Sequence, residues 1–181
     1  MRKLILTLAI LTIATGAAAQ TEIHGFVDGS YFYDPAVEAG EFGLDQVEID
    51  ITHQASDKTS LRADIEYVKD GEDMVAQVEQ GYMTYTARCG HTLTFGKFNA
   101  PIGFELLDAP DMFQYSHALV FDYGLPTNLT GVSVARDIGA GVDVIAYVAN
   151  GWDANTMAGK NATFGGLLDD ANEVFSAGLA T

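Results

Sequence analysis

The sequence predicts an all-β fold, an antiparallel up-and-down barrel that crosses a membrane with about eight strands and the start of a ninth. Three observations predict it. Polar and apolar residues alternate over most of the chain, tight turns alternate with longer links, and all four prolines fall in the longer links. Strict alternation places successive side chains on opposite faces of a strand. Short turns at one end and long links at the other are typical of a membrane barrel.

The first nineteen residues have the three parts of a secretory signal peptide. Met1, Arg2 and Lys3 give a positive start, residues 4–13 are apolar, and small residues lead to Ala19. The apolar run is shorter than the roughly 20 residues of a membrane-spanning helix. We therefore expect cleavage after Ala19, with residues 20–181 forming the β-domain.

Composition limits the classes of function. The chain has 181 residues, 48% of them hydrophobic, and a net charge of −16. This length suits one domain, and the apolar content is too high for a disordered acidic tail. An acidic surface repels phosphate, so we expect no nucleic-acid partner. A single cysteine excludes a disulfide scaffold.

Each strand is predicted from alternation over a short segment. In residues 44–52, Val47, Ile49 and Ile51 share one face and polar residues occupy the other. Glycines within such segments suit curved strands better than helices. The predicted strands are 22–33, 44–52, 61–67, 78–88, 91–98, 129–136, 142–148 and 162–168, with 174–181 as the start of a ninth.

The links between the predicted strands alternate in length. Tight turns are expected at 54–59, 87–90, 137–141 and 169–172, and longer links at 34–43, 69–73, 99–128 and 150–161. A soluble antiparallel sandwich also alternates, but a strand plus its link averages about 20 residues here, above the usual 8–12 of a sandwich. The aromatic residues at the long-link end are expected to form a membrane-interface girdle: Tyr31, Phe32, Tyr33, Tyr67, Phe95, Phe98 and Trp152.

Several segments carry a family resemblance. They read EQGYMTY at 79–85, LTFGKFNAPIGFE at 93–105, YSHAL at 115–119, TGV at 130–132 and NGWD at 150–153. In this order they resemble the OmpL-like family of β-barrel porins, over a stretch from about Gly25 to Asp153. The most specific part runs from Gly96 to Glu105.

The resemblance implies a porin in the outer membrane of a Gram-negative bacterium, in contact with lipid and passing small hydrophilic solutes or ions. Many porins are trimers, so the resemblance also admits a homo-oligomer. Family members are usually longer, and we expect this sequence to be the N-terminal portion of a longer barrel. A complete eight-stranded barrel would instead be filled by side chains and hold no open channel.

The parity of the strands predicts which side chains face the lumen. The alternative for each is a solvated wall residue with no effect on passage, since lumen charges act collectively. The predicted pore-lining residues are Gln46, Glu48, Asp50, Arg62, Asp64, Glu66 and Asp143.

The link from Asn99 to Asn128, here named the 99–128 loop, is the third long link. It carries Glu105, Asp108, Asp111 and Asp122 and no lysine or arginine. By analogy with general porins, we expect it to fold inward and narrow the pore, which would favour cations. The alternative is that it stays at the extracellular rim.

No motif indicates an enzyme, a cofactor or a metal site. The acidic segments at 108–111 and 169–173 lack the ligand spacing of a calcium loop, the four histidines are far apart, and no nucleophile motif is present. We therefore expect a passive channel. Two alternatives stay open: a small closed barrel with a structural or adhesive role, and a periplasmic all-β binding protein.

Overall fold

The computed structural model describes residues 20–71, 73–152, 163–170 and 173–180. The predicted signal peptide lies outside these residues. A 3-10 helix, Ala109–Asp111, and helix α1, Leu119–Gly124, interrupt an otherwise all-β chain. The strands are β1 Gln20–Asp34, β2 Ala39–Ser56, β3 Thr59–Asp70, β4 Asp73–Thr86, β5 His91–Asn99, β6 Asn128–Gly139, β7 Val142–Trp152, β8 Thr163–Asp170 and β9 Glu173–Ala180.

The strands form one antiparallel sheet in chain order, from β1 to β9. Each strand pairs with its neighbour along the chain, as in the register Ile49↔Ile65 between β2 and β3. This confirms the predicted all-β, up-and-down order. Within the described ranges β1 and β9 each have a single neighbour, so the sheet is open there.

The strands are longer than alternation alone indicates, and this shortens two predicted links. β1 and β2 stay paired as far as Asp34↔Ala39, which leaves four residues, 35–38, between them. β3 and β4 stay paired to Asp70↔Asp73. Both links are therefore short, because backbone pairing continues past the last alternating residues. The 99–128 loop is the one long link within the described residues, and most of the predicted 150–161 link lies outside them.

The two faces of the sheet differ sharply in polarity and exposure. Glu48 is 2% exposed and Asp64 is fully buried, whereas Val27 is 70% and Phe95 62% exposed. Water-soluble domains bury apolar residues and rarely expose large apolar patches. The described sheet does the reverse: its inner face is polar over β2, β3 and β4, and its outer face is apolar. We call these the polar face and the apolar face.

A β-bulge in β4 changes which residues face inward. Asp64 pairs with Gln80 and Ile65 pairs with Val78, so Glu79 is the extra residue. As a result, Glu79 and Gln80 are both buried although they are adjacent in sequence. A bulge of this kind re-aims a side chain at the cost of one ladder position.

A second part of the inner face is apolar and receives the 99–128 loop. Phe98, Leu129, Tyr147 and Ala149 form a buried cluster on β5, β6 and β7, against which Ile102 of the loop packs. Phe98 is therefore inside the sheet, and its assignment to the aromatic girdle is wrong. The reason is parity: neighbouring Lys97 and Phe98 point to opposite faces, and the inner position goes to Phe98, which is 6% exposed.

No helix in the described part of the chain is both long enough and apolar enough to span a membrane.

Candidate functional site

The polar face of β2, β3 and β4 carries a connected set of carboxylate and amide groups. Gln46 donates from its Nε2 to Glu48 at 3.2 Å and to Glu66 at 3.0 Å. Gln77 donates to the other oxygen of Glu66 at 2.8 Å. Glu66 is thus bonded at both oxygens and is held between its two neighbouring strands, a pairing that the cross-strand registers of β3 impose.

Arg62 and Asp64 form the charged pair of this face. The Nε of Arg62 lies 2.9 Å and 2.8 Å from the two oxygens of Asp64, and its terminal nitrogen lies 3.5 Å from Asp50. Gln80 donates to Asp64 at 2.5 Å and accepts the Asn99 backbone N–H at 2.9 Å. Gln80 therefore ties the charged pair to the start of the 99–128 loop.

The 99–128 loop lies against the polar face at Asp108. One carboxylate oxygen from each of Glu48, Glu79 and Asp108 lies within 4.8 Å of the others. Burial raises the pKa of Asp108, the nearby Asp50 carboxylate raises it further, and the Arg62 guanidinium acts in the opposite direction. This loop residue thus shares the electrostatic environment of the sheet.

The other three acids of the loop have different surroundings. Glu105 accepts the Ala118 backbone N–H, at 2.9 Å to the nearer oxygen, directly before α1. Asp122 lies 3.8 Å from His117, and Asp111 is exposed at the end of the 3-10 helix. Of the four predicted constriction residues, the structure therefore places Asp108 on the polar face and uses Glu105 and Asp122 within the loop.

The predicted pore-lining residues also fall into two groups, one on the polar face and one away from it. Gln46, Glu48, Asp50, Arg62, Asp64 and Glu66 come together on β2 and β3. Asp143 shares the inner parity of Tyr147 on β7, but it pairs with Asp137 beside the tight turn at 140–141 and is exposed. It is thus separate from the acidic cluster.

Three residues of the site are not predicted by alternation: Gln77, Glu79 and Gln80. Gln77 and Gln80 are three residues apart, so strict alternation would place them on opposite faces. The bulge at Glu79 adds one residue between them, and both therefore face inward. A signal does exist in the sequence, because Glu79 and Gln80 are adjacent polar residues before a glycine and so interrupt the alternation. An interruption of this kind indicates a β-bulge, because a bulge inserts one extra residue into the alternation.

The resulting site is strongly acidic. One guanidinium, Arg62, faces six carboxylates in this described cluster: Glu48, Asp50, Asp64, Glu66, Glu79 and Asp108. We call these six carboxylates the acidic wall. Carboxylates that line a polar surface in excess attract cations and repel anions.

Comparison with known proteins agrees with this architecture. The family model described as "Putative beta-barrel porin-2, OmpL-like" matches residues 20–177. No curated protein and no solved structure gives a match. A polar inner face, an apolar outer face and a chain-order antiparallel sheet are what a membrane barrel requires. The chain belongs to the OmpL-like family of β-barrel porins.

Proposed function

We propose that the sheet is the wall of a water-filled outer-membrane channel through which small hydrophilic solutes diffuse passively, with a preference for cations. The observation that carries the proposal is the reversed polarity of the sheet, with Glu48 and Asp64 buried and Val27 and Phe95 exposed. Apolar side chains that face outward can contact lipid, and polar side chains that face inward can contact water. Family membership supports the same location in the outer membrane.

The preference for cations rests on the charge of the acidic wall. Arg62 is already engaged by Asp64 and Asp50, so it compensates only part of the six carboxylates. A passing cation lowers the repulsion among the remaining carboxylates, whereas an anion adds to it. The proposal assigns no catalytic step to any residue.

The loop acids contribute unequally in this proposal. Asp108 contributes directly because it lies with Glu48 and Glu79, while Asp111 is exposed and its field is screened by salt. Asp108→Asn and Asp111→Asn remove the same charge three residues apart. The pair therefore separates the effect of a wall carboxylate from that of loop charge in general.

The test is the reversal potential of the complete gene product in a planar lipid bilayer under a KCl gradient, with EDTA present. We expect K⁺ to be more permeant than Cl⁻. Asp108→Asn should lower the permeability ratio about twofold. A unit charge ~8 Å from a passing ion contributes about 0.5 kcal/mol in water, with opposite sign for K⁺ and Cl⁻, and salt near 0.1 M reduces each contribution by about half. Asp111→Asn should change it less. A preference for Cl⁻, or no conductance, would refute the proposal.

A further inference from the structure

Two residues near Asp108 have buried carboxylate oxygens without a hydrogen-bond partner in the described chain. Glu79 is 2% exposed, and within the described chain neither of its oxygens has a hydrogen-bond partner. Glu48 is also 2% exposed and one of its oxygens has no partner there. The neutral amide of Asn99 lies beside Glu79 but carries no charge to balance that of the carboxylate. Burying a charged group without a partner is costly, so such a group normally has one.

The three carboxylates come from three separate segments and converge at one point. Glu48 is on β2, Glu79 is the bulge residue of β4, and Asp108 precedes the 3-10 helix of the 99–128 loop. Their oxygens lie within 4.8 Å of one another. Oxygen ligands of Ca²⁺ lie about 2.3–2.6 Å from the ion, so two ligands on opposite sides are roughly 5 Å apart. The observed spacing is compatible with that geometry.

We propose that Glu48, Glu79 and Asp108 form a divalent-cation site, best suited to Ca²⁺, that ties the 99–128 loop to the sheet. The inference goes beyond the proposed channel, since it concerns what holds the loop. The donor set consists of carboxylates alone, which suits a hard cation. Ca²⁺ accepts irregular geometry from separate segments, whereas Mg²⁺ requires a near-ideal octahedron.

The neighbouring carboxylate trio, Glu48, Asp50 and Asp64, is a weaker candidate. Its oxygens also lie within 4.8 Å of one another, but Arg62 contacts both aspartates and Gln80 donates to Asp64. Those groups already supply the positive charge and the hydrogen bonds that a cation would supply. The unpartnered oxygens of Glu79 therefore distinguish the proposed site.

The experiment measures Ca²⁺ binding to the complete protein, refolded in detergent without lipopolysaccharide, by equilibrium dialysis against Ca²⁺ alone. We expect one Ca²⁺ per chain, with a dissociation constant on the order of 10⁻⁴ M. Glu79→Gln and Asp108→Asn should each weaken binding at least tenfold, and Asp111→Asn should bind as the wild type does. No binding by the wild type at ~10 mM Ca²⁺, or unchanged binding by both site variants, would overturn the proposal.

A stability measurement guards against variants that lose binding because they misfold. In EDTA, Glu79→Gln should unfold at a higher urea concentration than the wild type, because one repelling carboxylate is gone. Added Ca²⁺ should raise the wild-type midpoint and leave that of Glu79→Gln unchanged, since a ligand stabilises only the state that binds it. The alternative is that the three carboxylates satisfy one another by sharing protons and bind no cation. The wild-type midpoint would then not respond to Ca²⁺, and this result would count against the site.

The outcome is independent of the channel proposal. A protein that binds Ca²⁺ through Glu79 but conducts no ions would uphold the cation site and refute the channel. A cation-preferring channel that binds no Ca²⁺ would do the opposite.

Discussion

Arg62 holds two carboxylates of the polar face, contacting both oxygens of Asp64 and one oxygen of Asp50. Asp64 is fully buried, so its charge has little access to solvent. Its compensation comes from Arg62 and from the Gln80 amide. An ion pair with one buried partner adds little net stability, but removing Arg62 leaves the buried charge of Asp64 uncompensated.

We therefore predict that Arg62→Met destabilises the protein by about 1–3 kcal/mol, the usual cost of leaving a buried acceptor without its partner. The cost stays below that of a fully buried pair because the Arg62 side chain is partly exposed. Urea unfolding of the refolded protein, followed by loss of β-sheet circular dichroism, measures it. The double variant with Asp64→Asn should recover most of the loss, because the stranded charge is then absent. Equal destabilisation in the single and double variants would show that Arg62 acts through packing and not through this pair.

At the residue scale, the sequence is sufficient to assign a side chain to a face only where parity is uninterrupted. The inward side of Glu48, Asp50 and Glu66 follows from simple alternation in β2 and β3. Glu79 could not be assigned in that way, because a bulge depends on how β4 aligns with its neighbour and not on β4 alone.

At the scale of the element, the backbones of neighbouring strands approach each other closely at two glycines between β4 and β7. Gly96 pairs directly with Gly131 across β5 and β6. A Cβ built on Gly131 would lie 2.0 Å from the Val148 carbonyl oxygen, and one on Gly96 would lie 2.2 Å from the Gly81 carbonyl oxygen. Glycine in a strand interior often marks this kind of close approach in a curved sheet.

Gly131→Ala should therefore destabilise the sheet by about 1–3 kcal/mol, the usual range for overpacking, because backbone must move to admit the methyl group. Gly81→Ala is the matched control: it is also within a strand, and its Cβ would meet nothing closer than Val78 at 3.7 Å. Urea midpoints of the two variants give the comparison. Equal midpoints would contradict the claim that close approach at Gly131 shapes this part of the sheet.

The order of the elements was predictable, and their ends were not. Alternation identifies each strand because one apolar face must be kept together along it. β1 and β2 continue to pair as far as Asp34↔Ala39. This extension depends on backbone pairing, which the alternation of side chains does not indicate. The position of Asp108 likewise depends on contacts between distant segments, such as Ile102 of the loop with the β5–β7 cluster, which no local pattern contains.

At the scale of the whole molecule, the reversed faces account for the composition. The chain is 48% hydrophobic and yet carries a net charge of −16. In a soluble domain the apolar residues would be buried and the charged residues would be on the surface. Here many of the apolar residues occupy the outer face, and many of the acids occupy the inner face or the 99–128 loop. Both properties can then coexist in one sheet.

In the proposed channel, the apolar face contacts lipid while the polar face contacts water. Three adjacent pairs test it on three strands: Ile51 and Thr52 on β2, Met83 and Thr84 on β4, and Phe95 and Thr94 on β5. Each residue is changed singly to cysteine in a background in which the exposed Cys89 is replaced by alanine. The complete protein is then reconstituted in lipid vesicles.

The measurement is the reaction of each cysteine with a charged, water-soluble thiol reagent, beside quenching of an attached fluorophore by nitroxide-labelled lipids. We expect alternation: cysteines at 52, 84 and 94 react with the reagent, and fluorophores at 51, 83 and 95 are quenched by lipid. Lipid quenching at 52, 84 and 94, or equal reaction of all six positions with the reagent, would contradict the account.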